Sequence, residues 1–334
     1  MSKMIGSSQA GGSQAGPIQR YTFENTQWNM TNGVSRSGDG AIGVVFFTDG
    51  SRQPLVTKAS KDPPLETNFA TAMLNKLGTG RKISAPSTRL ATDAERGQIA
   101  DQIEEKAMWN RGEVASDVAA YRNGQPHVWV MGMASGHAFG GKRKMGQGFT
   151  ESKLGGMRTV QLLEDPEYAR RMGFVTLCDL FLGNGDRMDV ANLGNWMTDT
   201  DGAISLIDNY ASGSQKLTKS GQESWESSFK EDLKPSGYLR KAETTYNAIT
   251  SSVAPEVKEA LKRSFGMSPE GRKQAFIKHF AKGMADGRKA ILAKLAPTFG
   301  KRSRSLKGSL GTGDEAAVAW GVLKRRALLL KNLK

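Results

Sequence analysis

The sequence predicts an α+β fold, with a β-rich N-terminal part and a mainly helical C-terminal part, on three observations. Apolar, β-prone runs bounded by turn residues occupy 41–59 and recur at 127–136. Apolar residues at helical spacing follow Glu66, fill Phe174 to Leu182 and continue through 240–296. Between the helical runs lies a polar stretch rich in carboxylates and amides, Gly183-Asn-Gly-Asp-Arg-Met-Asp-Val-Ala-Asn192, ahead of two short apolar runs.

The elements follow in chain order. Met1 to Pro17 is rich in Gly, Ser and Gln and lacks the apolar core of a secretory signal, so a disordered leader over 1–20 is expected. Gly38-Asp-Gly40-Ala-Ile-Gly43 matches Gly-x-Gly-x-x-Gly and runs into the β-prone Val44 to Phe47 instead of opening a helix. That context suits a loop folded over nucleotide phosphates better than a dinucleotide-binding turn. A plain glycine turn, or a phosphate loop at Asn32 to Ser37, remains open.

Ala41 to Phe47 and Pro54 to Ala59 read as strands across the turn Thr48 to Ser51, and Lys58 near the end of the second is placed to reach phosphates. Asp62 as cap and Pro64 at the first helical position announce a helix that Glu66 opens. Phe69, Ala70, Met73, Leu74 and Leu77 lie on the same side of that helix as Glu66. A carboxylate on an inward face needs a partner, and Lys58 is the candidate; a first-turn glutamate complementing the helix dipole is the other reading.

His127 to Gly136 is an apolar strand ending in glycine and small residues, suited to an interlobe hinge where the backbone of Met131 to Met133 contacts adenine, with the pocket between Ile83 and Phe139. One more core strand is the plainer alternative. Asp165-Pro-Glu167 caps a helix running to Leu182, and Cys178 inside its apolar run reads as a buried small hydrophobe. Leu193 to Met197 and Ala203 to Ile207 then form a hairpin around the turn Thr198 to Gly202, bringing Asn192 and Asp208 close at one end. An amide oxygen and a carboxylate suit Mg2+, and Asp186 is left to orient an attacking hydroxyl. Ordinary turn chemistry also concentrates Asn and Asp in such loops.

Beyond Asp208, Ala211 to Pro235 is polar, and helices start at Pro255 and Ser268-Pro269. Phe276, Phe280 and Met284 form a buried stripe. A basic link, Gly300 to Lys307, precedes a last helix from Asp314 to about Leu330. That helix carries Lys324-Arg-Arg326 beside Leu328 to Leu330, which fits either an anionic membrane surface or packing back onto the larger lobe.

Composition bounds the chemistry. The 334 residues carry a formal charge of +14, which points to an anionic partner: an acidic protein, an anionic membrane or nucleic acid. The charge is dispersed and no nucleic-acid-binding signature is present, so nucleic acid ranks last. A single cysteine excludes an internal disulfide, and with histidine only at 127, 137 and 279 no zinc cluster or Cys–His dyad can be assembled. General-base chemistry must rest on carboxylates.

Together Val44-Val-Phe-Phe-Thr-Asp-Gly50, Pro54-Leu-Val-Thr-Lys-Ala-Ser60, Leu65-Glu-Thr-Asn-Phe-Ala70, Ser84-Ala-Pro-Ser-Thr-Arg-Leu90, Gly183-Asn-Gly-Asp-Arg187, Ala191-Asn-Leu-Gly-Asn195 and Leu206-Ile-Asp208 resemble the catalytic domain of the actin-fragmin kinase family. This is an atypical protein-kinase branch related to the phosphatidylinositol 3- and 4-kinases, with similar proteins in bacteria. The resemblance spans about residues 40–210. It implies a bilobal protein-kinase-like fold, ATP and Mg2+ as cofactors, and transfer to a Ser or Thr hydroxyl of a protein such as actin. Carried over, Lys58 binds phosphate, Glu66 pairs with it, Asp186 is the catalytic aspartate, and Asn192 and Asp208 bind metal.

Two departures from the pattern stand out: Met188 replaces a histidine, and five residues separate Asp186 from Asn192 where four are usual. The extra residue leaves the roles of Asp189 and Asn195 open. The expected organisation is a leader at 1–20, a nucleotide lobe at 21–132, a larger lobe at 133–296, and a basic linker and helix at 297–334. A lipid or small-molecule kinase, an inactive kinase-fold scaffold and a nucleotide-transferring enzyme are the rival readings. The expected location is the cytoplasm or, because bacterial effectors carry similar leaders, a host cytosol after specialised export.

Overall fold

The computed structural model describes residues 31–36, 43–49, 55–61, 64–134, 136–138, 156–185, 187, 195–207, 209, 219–252, 255–263, 266–297 and 314–333. The N-terminal part is built on a five-stranded antiparallel sheet. Its strands are β1 (Thr31–Arg36), β2 (Val44–Asp49), β3 (Leu55–Ser60), β5 (Thr88–Leu90) and β6 (His127–Gly132), in the order β1-β2-β3-β6-β5. β2 and β3 are the hairpin expected from their apolar runs. β1 is a finding: Val34 is its single large apolar residue, so nothing periodic marks it, and pairing with β2 makes residues 32–36 strand instead of a phosphate loop.

On β3 the side chains alternate as a pleated strand requires. Leu55 and Ala59 are buried with Val45, Phe47, Val128 and Val130 beneath two helices, α2 (Asp93–Lys106) and α3 (Arg111–Ala119), which supply Ile99, Ile103 and Val118. Thr92 caps α2 and Glu95 returns the bond to the Thr92 amide, a reciprocal capping box that starts a helix with little apolar periodicity. The N-terminal part, expected to be β-rich with the Glu66 helix, therefore holds these two helices as well.

α1 (Pro64–Gly78) begins at the proline that its sequence marks. Its stripe of Phe69, Ala70, Met73, Leu74 and Leu77 is buried, but in the larger core, beside Ile83 of β4 (Ile83–Ser84) and the helical remainder. α1 thus bridges the sheet and the helices: Thr88 of β5 donates to the Asn68 side chain on its flank.

The larger core is organised by α5 (Pro166–Leu182) and α9 (Pro269–Lys294). They touch backbone to backbone: a Cβ on Gly173 would lie 1.9 Å from the Phe280 carbonyl oxygen, and one on Gly283 1.9 Å from that of Arg170. Asp165 caps α5 as expected, Pro166 takes the first position, and Gly183 ends the helix in the left-handed region at φ 79°. Around this pair pack α4 (Gly156–Glu164), α6 (Lys219–Asp232), α7 (Pro235–Ser252) and α8 (Pro255–Lys262). Phe276, Phe280, Met284 and Cys178 are buried there.

A second sheet, β4-β9-β8-β7, joins β7 (His137–Ala138), β8 (Trp196–Thr198) and β9 (Ile204–Leu206) to β4, with β4 and β9 parallel. The last helix, α10 (Asp314–Asn332), packs back onto the larger core through Leu323, Ala327 and Leu330. Trp320 meets Phe69 of α1 edge to face, and the buried Arg326 donates to the Phe181 carbonyl while lying 4.0 Å from the Trp225 ring. Of the basic triplet only Lys324 and Arg325 face outward. Among the described residues no helix is long and apolar enough to cross a membrane.

Candidate functional site

Lys58 sits on β3 between Val44 of β2 and Trp129 of β6. Its neighbours Thr57 and Ala59 point into the smaller core, so alternation turns Lys58 to the opposite face, away from α2 and α3, where it is half-buried. Trp129, its cross-strand partner, is buried, and the Trp129 indole Nε1 finds no acceptor among the described residues. Glu66 belongs to α1, three residues ahead of the buried Phe69; its side chain lies outside the described residues.

Of the glycine-rich segment, Gly38 and Gly40 lie outside the described residues. Gly43 is engaged by the fold itself. Its amide donates to Asp117 Oδ1 at 2.7 Å, and its carbonyl accepts from the Ala59 amide at 2.8 Å and the Tyr121 hydroxyl at 2.9 Å. A φ of +77° and a Cβ position 2.9 Å from that of Ala59 explain why glycine stands here. The amide of Gly43 thus serves Asp117 and not a phosphate. Asp117 also takes an ion pair from Arg36 at 2.9 Å.

The strand on which the hinge is expected forms as β6. Met131 is hydrogen-bonded into the sheet opposite Val56 and Thr88, and Met133, half exposed, is the first residue after the strand. From there the chain leaves the five-stranded sheet and enters the four-stranded one at β7. Gly136 makes that passage at φ +98°, so close to β8 that a Cβ would be 2.4 Å from the Thr198 carbonyl oxygen.

Asp186, Asp189, Asn192 and Asp208 lie outside the described residues. Their flanks do not. The hairpin that follows the polar loop is formed as expected, with Trp196 opposite Leu206 and Thr198 opposite Ile204, and the Ile207 amide donates to the Asn195 carbonyl at 3.3 Å. Asn195, the alternative to Asn192, is buried.

A residue without an assigned role in the sequence reading organises this region. Arg187 is fully buried and pairs with the equally buried Asp179 of α5, Nη1 to Oδ1 at 2.6 Å. Its Nη2 donates to the Ile207 carbonyl at 3.1 Å and to Asn209 Oδ1, and its own carbonyl accepts from Trp196 Nε1 at 3.2 Å. Asn209 in turn donates to the Leu206 carbonyl at 2.8 Å. Burial pushes the Asp179 carboxyl up to about 6 while the Arg187 guanidinium pulls it down. The signal for this network was a lone carboxylate, Asp179, inside the apolar run Phe174 to Leu182, since a charge buried on a helix requires a partner.

Among the described residues no cluster of histidine, cysteine, aspartate and glutamate forms a metal site. Comparison of the chain with protein-family models, with curated proteins and with solved structures finds no match in any of the three.

Proposed function

We propose that the chain is an ATP- and Mg2+-dependent phosphotransferase acting on a protein Ser or Thr hydroxyl, in a bilobal arrangement resembling that of the actin-fragmin kinase family. The observation that carries this reading is the seat of Lys58. It occupies the third strand of an antiparallel sheet, on the face opposite the smaller core, and the chain proceeds directly from that strand into the helix that holds Glu66. Protein kinases hold the phosphate-binding lysine on their third strand and its glutamate on the next helix. The strand beside Lys58, β6, is also the one that leads out toward the second sheet.

In this reading Lys58 binds and orients the ATP phosphates, Glu66 holds Lys58, and the backbone at Met131 and Met133 receives adenine. Asn192 and Asp208 would hold Mg2+, for which an amide oxygen and a carboxylate are a suitable donor set. When bound, the cation offsets the charge of the transferring phosphoryl group. Asp186 accepts a hydrogen bond from the acceptor hydroxyl and sets it in line. Most of the acceleration comes from positioning and electrostatics. The charge of +14 favours an acidic protein as acceptor.

The test is transfer of label from γ-labelled ATP, with Mg2+, to a cell extract separated into protein and lipid, comparing wild type with Asp208→Asn and Lys58→Ala. Label on protein that both substitutions abolish, in folded variants, is the expected result. Full transfer by either variant contradicts the assignment, and label confined to lipid shifts the acceptor to a lipid headgroup.

A further inference from the structure

We propose that Arg187 is a positioning residue that sets the catalytic loop and the metal-binding turn at a fixed separation. Its role rests on the phosphotransferase reading; its geometry does not. The guanidinium is anchored on α5 through Asp179, and one of its nitrogens reaches both the carbonyl of Ile207 and the side chain of Asn209. Those two acceptors straddle position 208. Arg187 is itself the residue after Asp186, and its carbonyl is held by Trp196 of β8. One residue thereby ties the end of the loop that contains Asp186, the strand β8 and both neighbours of Asp208 to a single helix.

The chemistry selects arginine. A planar fork that stays charged can serve an anion and two neutral acceptors at once, whereas a lysine ammonium is a single point charge on a flexible stem. Arg187 and Asp179 have no exposed surface and Asn209 almost none, so the fork has one geometry available. A buried ion pair of this kind contributes little net stability against an apolar replacement; what it contributes is a fixed arrangement.

The experiment uses the full chain with Asn209→Ala, which removes one acceptor and leaves the Arg187–Asp179 pair, and Arg187→Lys, which keeps the charge and loses the fork. Two readouts are taken: amide hydrogen exchange over 183–187, and the Mg2+ concentration for half-maximal transfer at saturating ATP. Both variants are expected to stay folded, to exchange faster over 183–187, and to need about tenfold more Mg2+, with the KM for ATP at saturating Mg2+ unchanged. A purely structural residue would lower the melting temperature without moving the Mg2+ requirement. Unchanged exchange over 183–187 in Asn209→Ala overturns the coupling whatever the activity. Faster exchange with a wild-type Mg2+ requirement in an active enzyme overturns the positioning role. A wild type that neither binds nor turns over ATP refutes the phosphotransferase reading, and the role of Arg187 with it.

Discussion

Among the described residues, the two hydrophobic cores each bury one aspartate completely, and each aspartate pins a segment that the sequence marks as chemical. Under the five-stranded sheet, Asp117 takes the Gly43 amide and the Arg36 guanidinium, fixing the point where the glycine-rich segment enters β2. In the larger core, Asp179 takes Arg187, and Arg187 carries the hold onward to Ile207 and Asn209. The first carboxylate acts directly on backbone that is part of the sheet, so its loss is felt as stability. The second acts through a guanidinium on segments that precede β8 and follow β9, so its loss is expected to be felt first as geometry at the candidate site. A buried charge is therefore best judged by what its partner holds next.

The largest expected effect breaks the larger core outright. Gly283→Ala places a methyl group against the Arg170 carbonyl oxygen where α5 and α9 touch, and no side chain can yield because the obstacle is backbone. A loss of more than about 4 kcal/mol in urea unfolding is expected. Whether the sheet melts with the helices or separately will show if α1, shared by both, makes the two cores one cooperative unit.

Asp117→Ala is next. Among the described residues it leaves Arg36 with the more exposed Glu113 as its remaining ion-pair partner and the Gly43 amide without its Asp117 acceptor, so about 3 kcal/mol is expected to be lost, read by the same unfolding measurement. A change below about 1 kcal/mol would remove the distinction between the two aspartates.

A smaller effect is pH-dependent. The Asp179 carboxyl stands at about 6 in the folded chain, above its ordinary 3.8, so the folded state binds the proton more tightly than the unfolded one between these values. This contribution to stability is fully present below about pH 4 and is lost as pH rises through 6. Relative to Asp179→Asn, the wild type is expected to lose roughly 2–3 kcal/mol across that window and to change little above it, in denaturation series at fixed ionic strength. The opposite slope would mean that Arg187 outweighs burial.

The parts of the fold legible in the sequence are those with local signals. Asp165-Pro166 and Gly183 bound α5, Pro64 begins α1, Ser268-Pro269 begins α9, and the β8–β9 hairpin forms between the apolar runs flanking Thr198 to Gly202. What was not legible depends on distant partners. β1 has one large apolar residue and exists by pairing with β2; α2 and α3 are mostly polar and bury a few side chains under the sheet. The parallel pairing of β4 with β9 joins residues about 120 apart, and no local pattern announces it. At the candidate site, Lys58 was placed on its strand by a β-prone run and the turn before it. Gly43 was misleading because its motif is also what a tight entry into a strand needs. The role of Arg187 escaped because its three acceptors come from α5 and from either side of Asp208, which only the folded chain brings to one place.

The phosphotransferase reading is tested most directly by a crystal structure of the full chain with a non-hydrolysable ATP analogue and Mg2+. The phosphates are expected at Lys58, adenine against the backbone of Met131 to Met133, and the cation between Asn192 and Asp208. Nucleotide bound elsewhere, or a cation held without Asp208, would contradict that reading.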